Sequence, residues 1–309
     1  IINRPSNLSE DNSPEWEAWK HGINEAINKF GNFDIFISLP ATSPLRQSED
    51  VQKCLDKFMN EFVNLYLQDN LPSKILLSGL KGIGKSTLAY HFINFVLSQN
   101  EEFSYNLEKF EIDPNNRTFK TILNKSNPNL ILIDIDSDKK SIDINQIRKL
   151  ILNLNKSSFN EKPRFVLIDN IEFLNKNSIN ALLKVLEEPN LNIFFLLINN
   201  NKKILPTLSS RCINFKINLS HNESQFISEK LLNAKLNNVI SNDLLNYYST
   251  PGITYNLVKF GEINNYNLVD YDLKSLLKKL IINNHYKKNS FIRNIIFEFI
   301  EFYFNKTNI

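Results

Sequence analysis

Short apolar runs alternate along the middle of the chain with stretches in which apolar residues recur every three or four positions. The runs at residues 74–78, 164–169 and 191–198 are continuous and apolar, which is typical of buried strands. The stretches at 87–97 and 177–188 carry their apolar residues on one face, as helices that cover a sheet do. This alternation predicts an α/β fold in which a parallel sheet is flanked by helices on both faces.

The two ends of the chain have a predominantly helical pattern. A helix is predicted at residues 14–30, a strand at 34–39, and a second helix from Ser48 to about residue 69. From residue 221 onward the pattern is helical to the C-terminus. The aromatic side chains near that end are expected either in a core or at an oligomer contact: Phe291, Phe297, Phe299, Phe302, Tyr303 and Phe304.

The composition is that of a globular protein of two or three domains, with 309 residues of which 42% are hydrophobic and 22% charged. The net charge is +3, and no long run of Lys and Arg marks a dedicated nucleic-acid arm. Cys54 and Cys212 lack C-x-x-C spacing, which excludes a four-cysteine zinc module, and the histidines are scattered. Because Ile1 begins no signal peptide and no run of 18 apolar residues occurs, we expect a cytoplasmic protein without membrane contact.

The strongest motif lies at residues 79–86, G-L-K-G-I-G-K-S, a complete G-x-x-x-x-G-K-[ST] phosphate-binding loop between a predicted strand and helix. Its glycines let backbone N–H groups point at a phosphate, and the helix N-terminus adds its positive dipole. Lys85 is expected to reach the β- and γ-phosphates of ATP, and Ser86 to bind Mg²⁺. The predicted nucleotide contacts in this stretch are Gly79, Lys81, Gly82, Ile83, Gly84, Lys85, Ser86 and Thr87.

A second feature of nucleotide sites follows the predicted strand at residues 164–169, which ends in Asp169. Asp169 is expected to hold the Mg²⁺ ion that Ser86 also binds. The next residue is Asn170, where many ATPases have a glutamate that polarises the attacking water. Glu172 lies two positions further on and is expected to point away from the site.

The first part of the chain resembles the middle of the acylneuraminate cytidylyltransferases. The resemblance covers residues 1–58 and rests on Asn3-Arg4-Pro5, on D-I-F-I-S-L-P-A-T-S-P-L-R at 34–46, and on Glu49-Asp50-Val51. That family activates an acidic sugar with CTP on a Rossmann-like sheet. Its CTP-binding loop and its metal-binding and sugar-binding segments have no counterpart here, so the segment is interpreted as a fragment joined to a different protein.

The rest of the chain resembles the δ′ subunit of the bacterial DNA polymerase III clamp loader, an AAA+ protein. The matching stretches are 77–90, I-N-Q-I-R at 144–148, N-A-L-L-K-V-L-E-E-P at 180–189 and S-R-C at 210–212. The resemblance implies an AAA+ nucleotide-binding domain at 59–218, a helical lid at 219–262 and a collar-like helical segment at 263–309. It implies as partners the other clamp-loader subunits, the sliding clamp and, through the complex, primer–template DNA.

The same resemblance assigns roles to further residues. Arg211 is expected to be an arginine finger that reaches the ATP site of a neighbouring subunit. Asn199 is assigned to the sensor 1 region, with Asn200 as the alternative one residue on. The zinc module of clamp-loader ATPases is missing, and Gly252 stands where an active ATPase carries a sensor 2 arginine. Together with Asn170, this departure implies a subunit that binds ATP and hydrolyses it weakly or not at all in cis.

Two alternatives stay open at this point. A self-sufficient P-loop ATPase would show measurable turnover as an isolated chain, although Asn170 and Gly252 count against it. A remnant of a synthetase that makes CMP-activated acidic sugars is favoured only by residues 1–58 and opposed by the absence of the rest of that site.

Overall fold

A computed structural model describes residues 49–307, except 137–138, 158, 188–191 and 248; of residues 49–57, 288, 290 and 305–307 it describes only the backbone. The predicted helix at 14–30 and strand at 34–39, and most of the cytidylyltransferase-like fragment, lie outside the described residues. The helix predicted to run from Ser48 to about residue 69 is observed as α1, Glu49–Leu67.

The centre of the molecule is a five-stranded sheet in which every neighbouring pair of strands is parallel. The strands are β1 (Lys74–Ser78), β2 (Leu130–Ile133), β3 (Arg164–Ile168), β4 (Ile193–Asn199) and β5 (Ile213–Lys216), in the order β2-β3-β4-β1-β5. The three predicted strands are confirmed as β1, β3 and β4. Since all strands run the same way, the residues that follow β1, β3 and β4 meet at one edge of the sheet.

Helices cover both faces of this sheet. They are α2 (Lys85–Leu97), α3 (Arg117–Leu123), α4 (Ile144–Leu154), α5 (Lys176–Glu187) and the short α6 (Pro206–Ser209). Successive residues of a strand point to opposite faces, so Ile75 and Leu77 pack in a cluster with Phe62 of α1 and Phe92 of α2. Leu76 packs in a second cluster, with Ile147 of α4 and Leu182 of α5. The predicted α/β class is therefore confirmed.

Local sequence signals define the ends of several helices. Asp143 caps α4 in a capping box with Gln146, whose side chain bonds back to the backbone of Asp143. Ser220 and Glu223 form the same arrangement at the start of α7, His221–Leu232. Each box satisfies backbone N–H groups that a helix N-terminus leaves without partners.

The C-terminal part of the chain is helical, as predicted. After α7 come α8 (Asn242–Leu245), α9 (Pro251–Ile263), α10 (Leu273–Ile282), α11 (His285–Lys288) and α12 (Ser290–Thr307). One hydrophobic cluster joins Leu257 of α9, Leu276 of α10 and Phe299 of α12. Residues on both sides of the predicted division at 262–263 thus share a core, and the division into lid and collar-like segment stays a prediction.

The aromatic residues of α12 divide between core and surface. Phe299 is 2% exposed and belongs to the core, whereas Phe297 and Phe304 are 67% and 57% exposed. In the part of the chain that the structure describes, no helix is both long enough and apolar enough to cross a bilayer.

Candidate nucleotide-binding site

The phosphate loop connects the end of β1 to the start of α2 at the edge where the parallel strands end. Gly82 and Gly84 have φ angles of 86° and 97°, a region of backbone conformation that L-residues with a Cβ rarely adopt. Gly82 is further restricted by its neighbour, because an added Cβ would lie 2.5 Å from Oγ1 of Thr250. The loop therefore depends on glycine at these two positions.

Lys85 is the buried cation of the loop. Its Nζ donates hydrogen bonds to the carbonyl oxygens of Gly79, at 2.9 Å, and Leu80, at 2.6 Å. Burial lowers the pKa of Lys85 to about 8, against the opposing effect of the negative charges of Asp169 and Glu172. A buried ammonium group bound only to neutral carbonyls is well suited to gain a phosphate as partner.

Ser86 and Asp169 are in direct contact. The Ser86 hydroxyl donates to Oδ2 of Asp169 at 2.7 Å, and the backbone N–H of Asn170 donates to Oδ1 at 2.8 Å. Burial raises the pKa of Asp169, and the hydrogen bond from Ser86 acts in the opposite direction. A hydroxyl and a carboxylate oxygen side by side fit Mg²⁺, which uses few protein ligands together with phosphate oxygens. Among the described residues no cluster of three or more His, Cys, Asp or Glu forms a separate metal site.

A cleft of about 620 Å³ opens beside these residues. Its volume lies in the range of small-molecule sites, roughly 300 to 1,000 Å³. The polar end contains the phosphate loop, Asp169, Asn170 and Asn200, and the apolar walls come from several elements: Met59, Phe110, Ile227, Leu231, Phe291 and Ile295. Phe291 and Ile295 belong to α12, so the last helix of the chain also faces the cleft.

The start of α9 packs directly on the phosphate loop. Thr250 Oγ1 donates to the carbonyl oxygen of Lys81 at 2.8 Å. The backbone N–H of Gly252 donates to the carbonyl oxygen of Gly82 at 2.9 Å. A Cβ on Gly252 would lie 3.0 Å from the Gly82 backbone, so close approach explains glycine there. The residues of α7 and α9 that line the cleft carry no positive charge: Ile227, Leu231, Pro251, Gly252, Ile253 and Asn256.

A chain of polar side chains lies at the ends of β2, β3 and β4. The Asn170 amide donates to Asp134 at 2.7 Å, and the Asn200 amide donates to Asn170 at 2.8 Å and to Glu172 at 3.0 Å. The prediction that Glu172 points away from the site is therefore wrong. Asn170 has a left-handed backbone, φ 57°, and the 3₁₀ turn Ile171–Phe173 that follows brings the Glu172 carboxylate back to Asn200.

The structure places Asn200 in the cleft and Asn199 beneath it. Asn199 is buried, its side-chain amide donates to the carbonyl of Lys202 at 2.9 Å, and its oxygen accepts from the Lys202 N–H at 3.3 Å. Asn199 thus stabilises the turn that follows β4. Of the two residues considered for the sensor 1 region, Asn200 is the one whose side chain faces the nucleotide cleft.

Arg211 lies between α6 and β5 and is not among the residues that line the cleft. Its Nε donates to Oε1 of Glu187 at 3.0 Å, its Nη2 contacts the same oxygen, and its Nη1 donates to the carbonyl of Thr207 at 2.7 Å. About a third of the side chain, 32%, is exposed. Sequence patterns gave no sign of the partner Glu187, which belongs to the last turn of α5.

The sheet order, the phosphate loop after β1 and the acidic residue after β3 define a P-loop fold of the AAA+ type. A sequence profile of the family described as "DNA polymerase III, delta subunit" matches residues 54–221, more than half of the chain. The chain belongs to this family.

The chain is also similar to individual proteins over part of its length. DNA polymerase III subunit gamma of Buchnera aphidicola subsp. Schizaphis graminum is 31% identical over 49% of this chain and 39% of its own. DNA polymerase III subunit delta′ of Pseudomonas aeruginosa is 30% identical over 45% of this chain and 40% of its own. The matched segment thus spans about two fifths of these relatives. A solved structure of a gamma subunit-related protein from Thermotoga maritima covers 75% of this chain and 66% of its own, with 18% identity and a TM-score of 0.41.

Proposed function

We propose that this chain is a δ′-like subunit of a DNA polymerase III clamp loader that binds ATP with Mg²⁺ and supplies an arginine to a neighbouring subunit. The observation that carries the proposal is the contact between Ser86 and Asp169 beside the buried Lys85, in a chain of the DNA polymerase III delta family. Its role would be to help load the sliding clamp onto primed DNA during replication.

The residues of the phosphate loop divide the work of holding the nucleotide. Lys85 supplies the cation for the β- and γ-phosphates, exchanging its two carbonyl partners for phosphate oxygens. Backbone N–H groups of the loop from Lys81 to Thr87, which line the cleft, would face the phosphates. The N–H of Gly79, predicted as a further nucleotide contact, instead donates to the carbonyl oxygen of Asn199 at 3.3 Å. Ser86 and Asp169 supply oxygens to Mg²⁺, which neutralises phosphate charge when it is bound.

Two features favour retention of ATP over its hydrolysis in cis. Asn170 has no basic group that could activate water, and its amide is already bound to Asp134. The lid residues that line the cleft bring no cation to the γ-phosphate. A self-sufficient ATPase would need both functions, so these side chains favour a subunit that depends on its neighbours.

The contacts of Arg211 suit a donor in trans. A guanidinium has five N–H groups, and three of the groups of Arg211 are engaged by Glu187 and Thr207. These contacts fix the plane of the guanidinium group, and its other N–H groups stay available to bind a phosphate. Glu187 therefore acts as the residue that orients Arg211 toward a neighbouring active site, where a fixed cation stabilises charge on the γ-phosphate.

The partners follow from this role. They are the other clamp-loader subunits, the sliding clamp and, through the assembled complex, primer–template DNA, all in the cytoplasm. Residues 59–218 would form the nucleotide-binding domain, 219–262 the lid and 263–309 a collar-like contact between subunits. The exposed Phe297 and Phe304 of α12 are suited to such a contact.

Assembly with partners tests this proposal directly. The chain is mixed with the clamp-loader ATPase subunits encoded by the same genome and analysed by size-exclusion chromatography with light scattering. We expect one stoichiometric complex, whose ATPase activity is stimulated by the sliding clamp and primed DNA. Elution of the chain as a separate species in the presence of ATP would contradict the proposal.

Nucleotide affinity is expected to depend on pH through Lys85, whose pKa burial lowers to about 8. A bound phosphate stabilises the charged ammonium, so binding raises this pKa and takes up a proton above pH 8. The affinity should stay level below pH 8 and fall by up to about tenfold per unit above it. Isothermal titration from pH 7 to 9.5, in buffers with different ionisation enthalpies, measures both effects. Lys85→Arg, which stays charged over this range, should abolish the dependence, and a level wild-type profile would disprove the assignment.

A further inference from the structure

The hydrogen bonds among Asp134, Asn170 and Asn200 fix the direction of both side-chain amides. An ionised carboxylate can only accept hydrogen bonds, so the Asn170 group that faces Asp134 at 2.7 Å must be its NH₂. The carbonyl oxygen of Asn170 then points the other way, toward Asn200. At 2.8 Å, it accepts a hydrogen bond from the NH₂ of Asn200.

Glu172 fixes the same amide from the other side. Its Oε1 accepts from the Asn200 NH₂ at 3.0 Å, and its Oε2 accepts from the Asn200 backbone N–H at 3.4 Å. Both hydrogens of the Asn200 NH₂ are therefore used, one by Asn170 and one by Glu172. Among the described residues, no group donates a hydrogen bond to the side-chain oxygen of Asn200, Oδ1, although Asn200 lines the cleft.

We propose that Glu172, together with Asp134, holds Asn200 as a hydrogen-bond acceptor and thereby removes discrimination between nucleoside triphosphates and diphosphates. Phosphate oxygens of ATP and ADP at neutral pH are acceptors, so Asn200 in this orientation bonds to water and offers no donor to a terminal phosphate. Glu172 is a positioning residue that determines nucleotide selectivity through Asn200. This inference rests on the proposed nucleotide binding, and it adds how strongly the site distinguishes ATP from ADP.

A matched pair of variants separates the hydrogen bond from the charge. Glu172→Gln removes the negative charge near the phosphate site and keeps an oxygen that accepts from Asn200. Glu172→Ala removes both, so the Asn200 amide is held by Asn170 alone and is free to turn an N–H toward the γ-phosphate. A hydrogen bond to a charged group contributes about 1.5 kcal/mol or more, which corresponds to about tenfold in affinity.

The affinities for Mg-ATP and Mg-ADP are measured by isothermal titration. For the wild type we expect the two dissociation constants to agree within a few-fold. The preference for ATP over ADP should be about tenfold greater in Glu172→Ala than in Glu172→Gln. Equal preferences in the two variants, or a strong preference for ATP in the wild type, would overturn the proposal.

A cycle of variants without nucleotide tests the orientation of Asn200 by itself. The melting temperature is measured for the wild type, Glu172→Ala, Asn200→Ala and the double variant. If the two side chains are bonded, the double variant should lose less stability than the sum of the two single losses, because their shared hydrogen bond is counted in both single variants. Additive losses would show that Glu172 does not hold Asn200. Coupled melting with no nucleotide binding by the wild type would instead refute the proposed function and, with it, the selectivity.

Discussion

Replacing Arg211 by alanine is expected to lower the ATP turnover of the assembled clamp loader by about 10³-fold at the affected site, the low end of what an arginine finger contributes. The loss follows from removing the rigid cation that Glu187 and Thr207 hold in place. Binding of ATP to this chain should change little, because Arg211 does not line its own cleft. Steady-state ATPase assays of the reconstituted complex with clamp and primed DNA measure the effect.

Two control variants sharpen this test. Arg211→Lys keeps the charge and loses the planar fork, so it should recover only a small part of the rate. Arg117→Ala removes an exposed arginine at the start of α3 and should leave the rate unchanged. Normal turnover of the complex that contains Arg211→Ala would exclude a finger at this position.

Replacing Lys85 by alanine is expected to weaken the binding of Mg-ATP by about 100-fold, since hydrogen bonds to charged groups contribute about 1.5 to 3 kcal/mol. Lys85 is buried at the base of the loop, where water replaces its ammonium poorly. Isothermal titration with the isolated chain gives the two dissociation constants.

Lys81 provides the control for this prediction within the same loop. Its side chain is exposed, and its backbone carbonyl accepts the hydrogen bond from Thr250. Lys81→Ala removes the same charge at the edge of the cleft and should weaken binding only a few-fold, because exposed charges are screened by solvent. Equal losses for the two lysines would show that general electrostatic attraction, and not the phosphate loop, holds the nucleotide.

The sequence predicted the parts of the fold in which burial leaves a strong pattern. β1, β3 and β4 lie inside the sheet and are covered on both faces, so each is a continuous apolar run. β2 and β5 are the edge strands and have four residues each. Periodicity does not distinguish a run of four residues from part of a helix, so strands this short were not predicted. β5 also lacks the apolar pattern of a buried strand, because most of its residues are exposed.

The candidate site was predictable where a local motif carries the chemistry. The contact between Ser86 and Asp169 follows from two motifs, one after β1 and one after β3, at the same edge of the parallel sheet. The position of Glu172 was predicted wrongly, because the left-handed backbone at Asn170 reverses the direction of the chain. Asparagine adopts the left-handed conformation more readily than most residues, but it does not always do so. The identity of residue 170 alone therefore does not predict this turn of the backbone.

The remaining site contacts are tertiary and have no local signal. Asn199 and Asn200 differ by one position at the end of β4, and only the turn at Lys202 decides which side chain enters the cleft. The contact of Thr250 with the phosphate loop joins residues 169 positions apart. Gly252 stands where the family resemblance leads one to expect a sensor 2 arginine. Its close packing against the phosphate loop explains why a residue without a side chain is found there.

Whether this chain acts on its neighbours is decided by ATP hydrolysis of the isolated chain, measured beside ATP binding in the same preparation. We expect saturable binding of Mg-ATP that depends on Lys85, with hydrolysis near background until the partner ATPase subunits, clamp and primed DNA are added. Vigorous hydrolysis by the isolated chain, abolished by Arg211→Ala with no partner present, would contradict it. That result would identify a self-assembling ATPase in place of a subunit that acts on its neighbours.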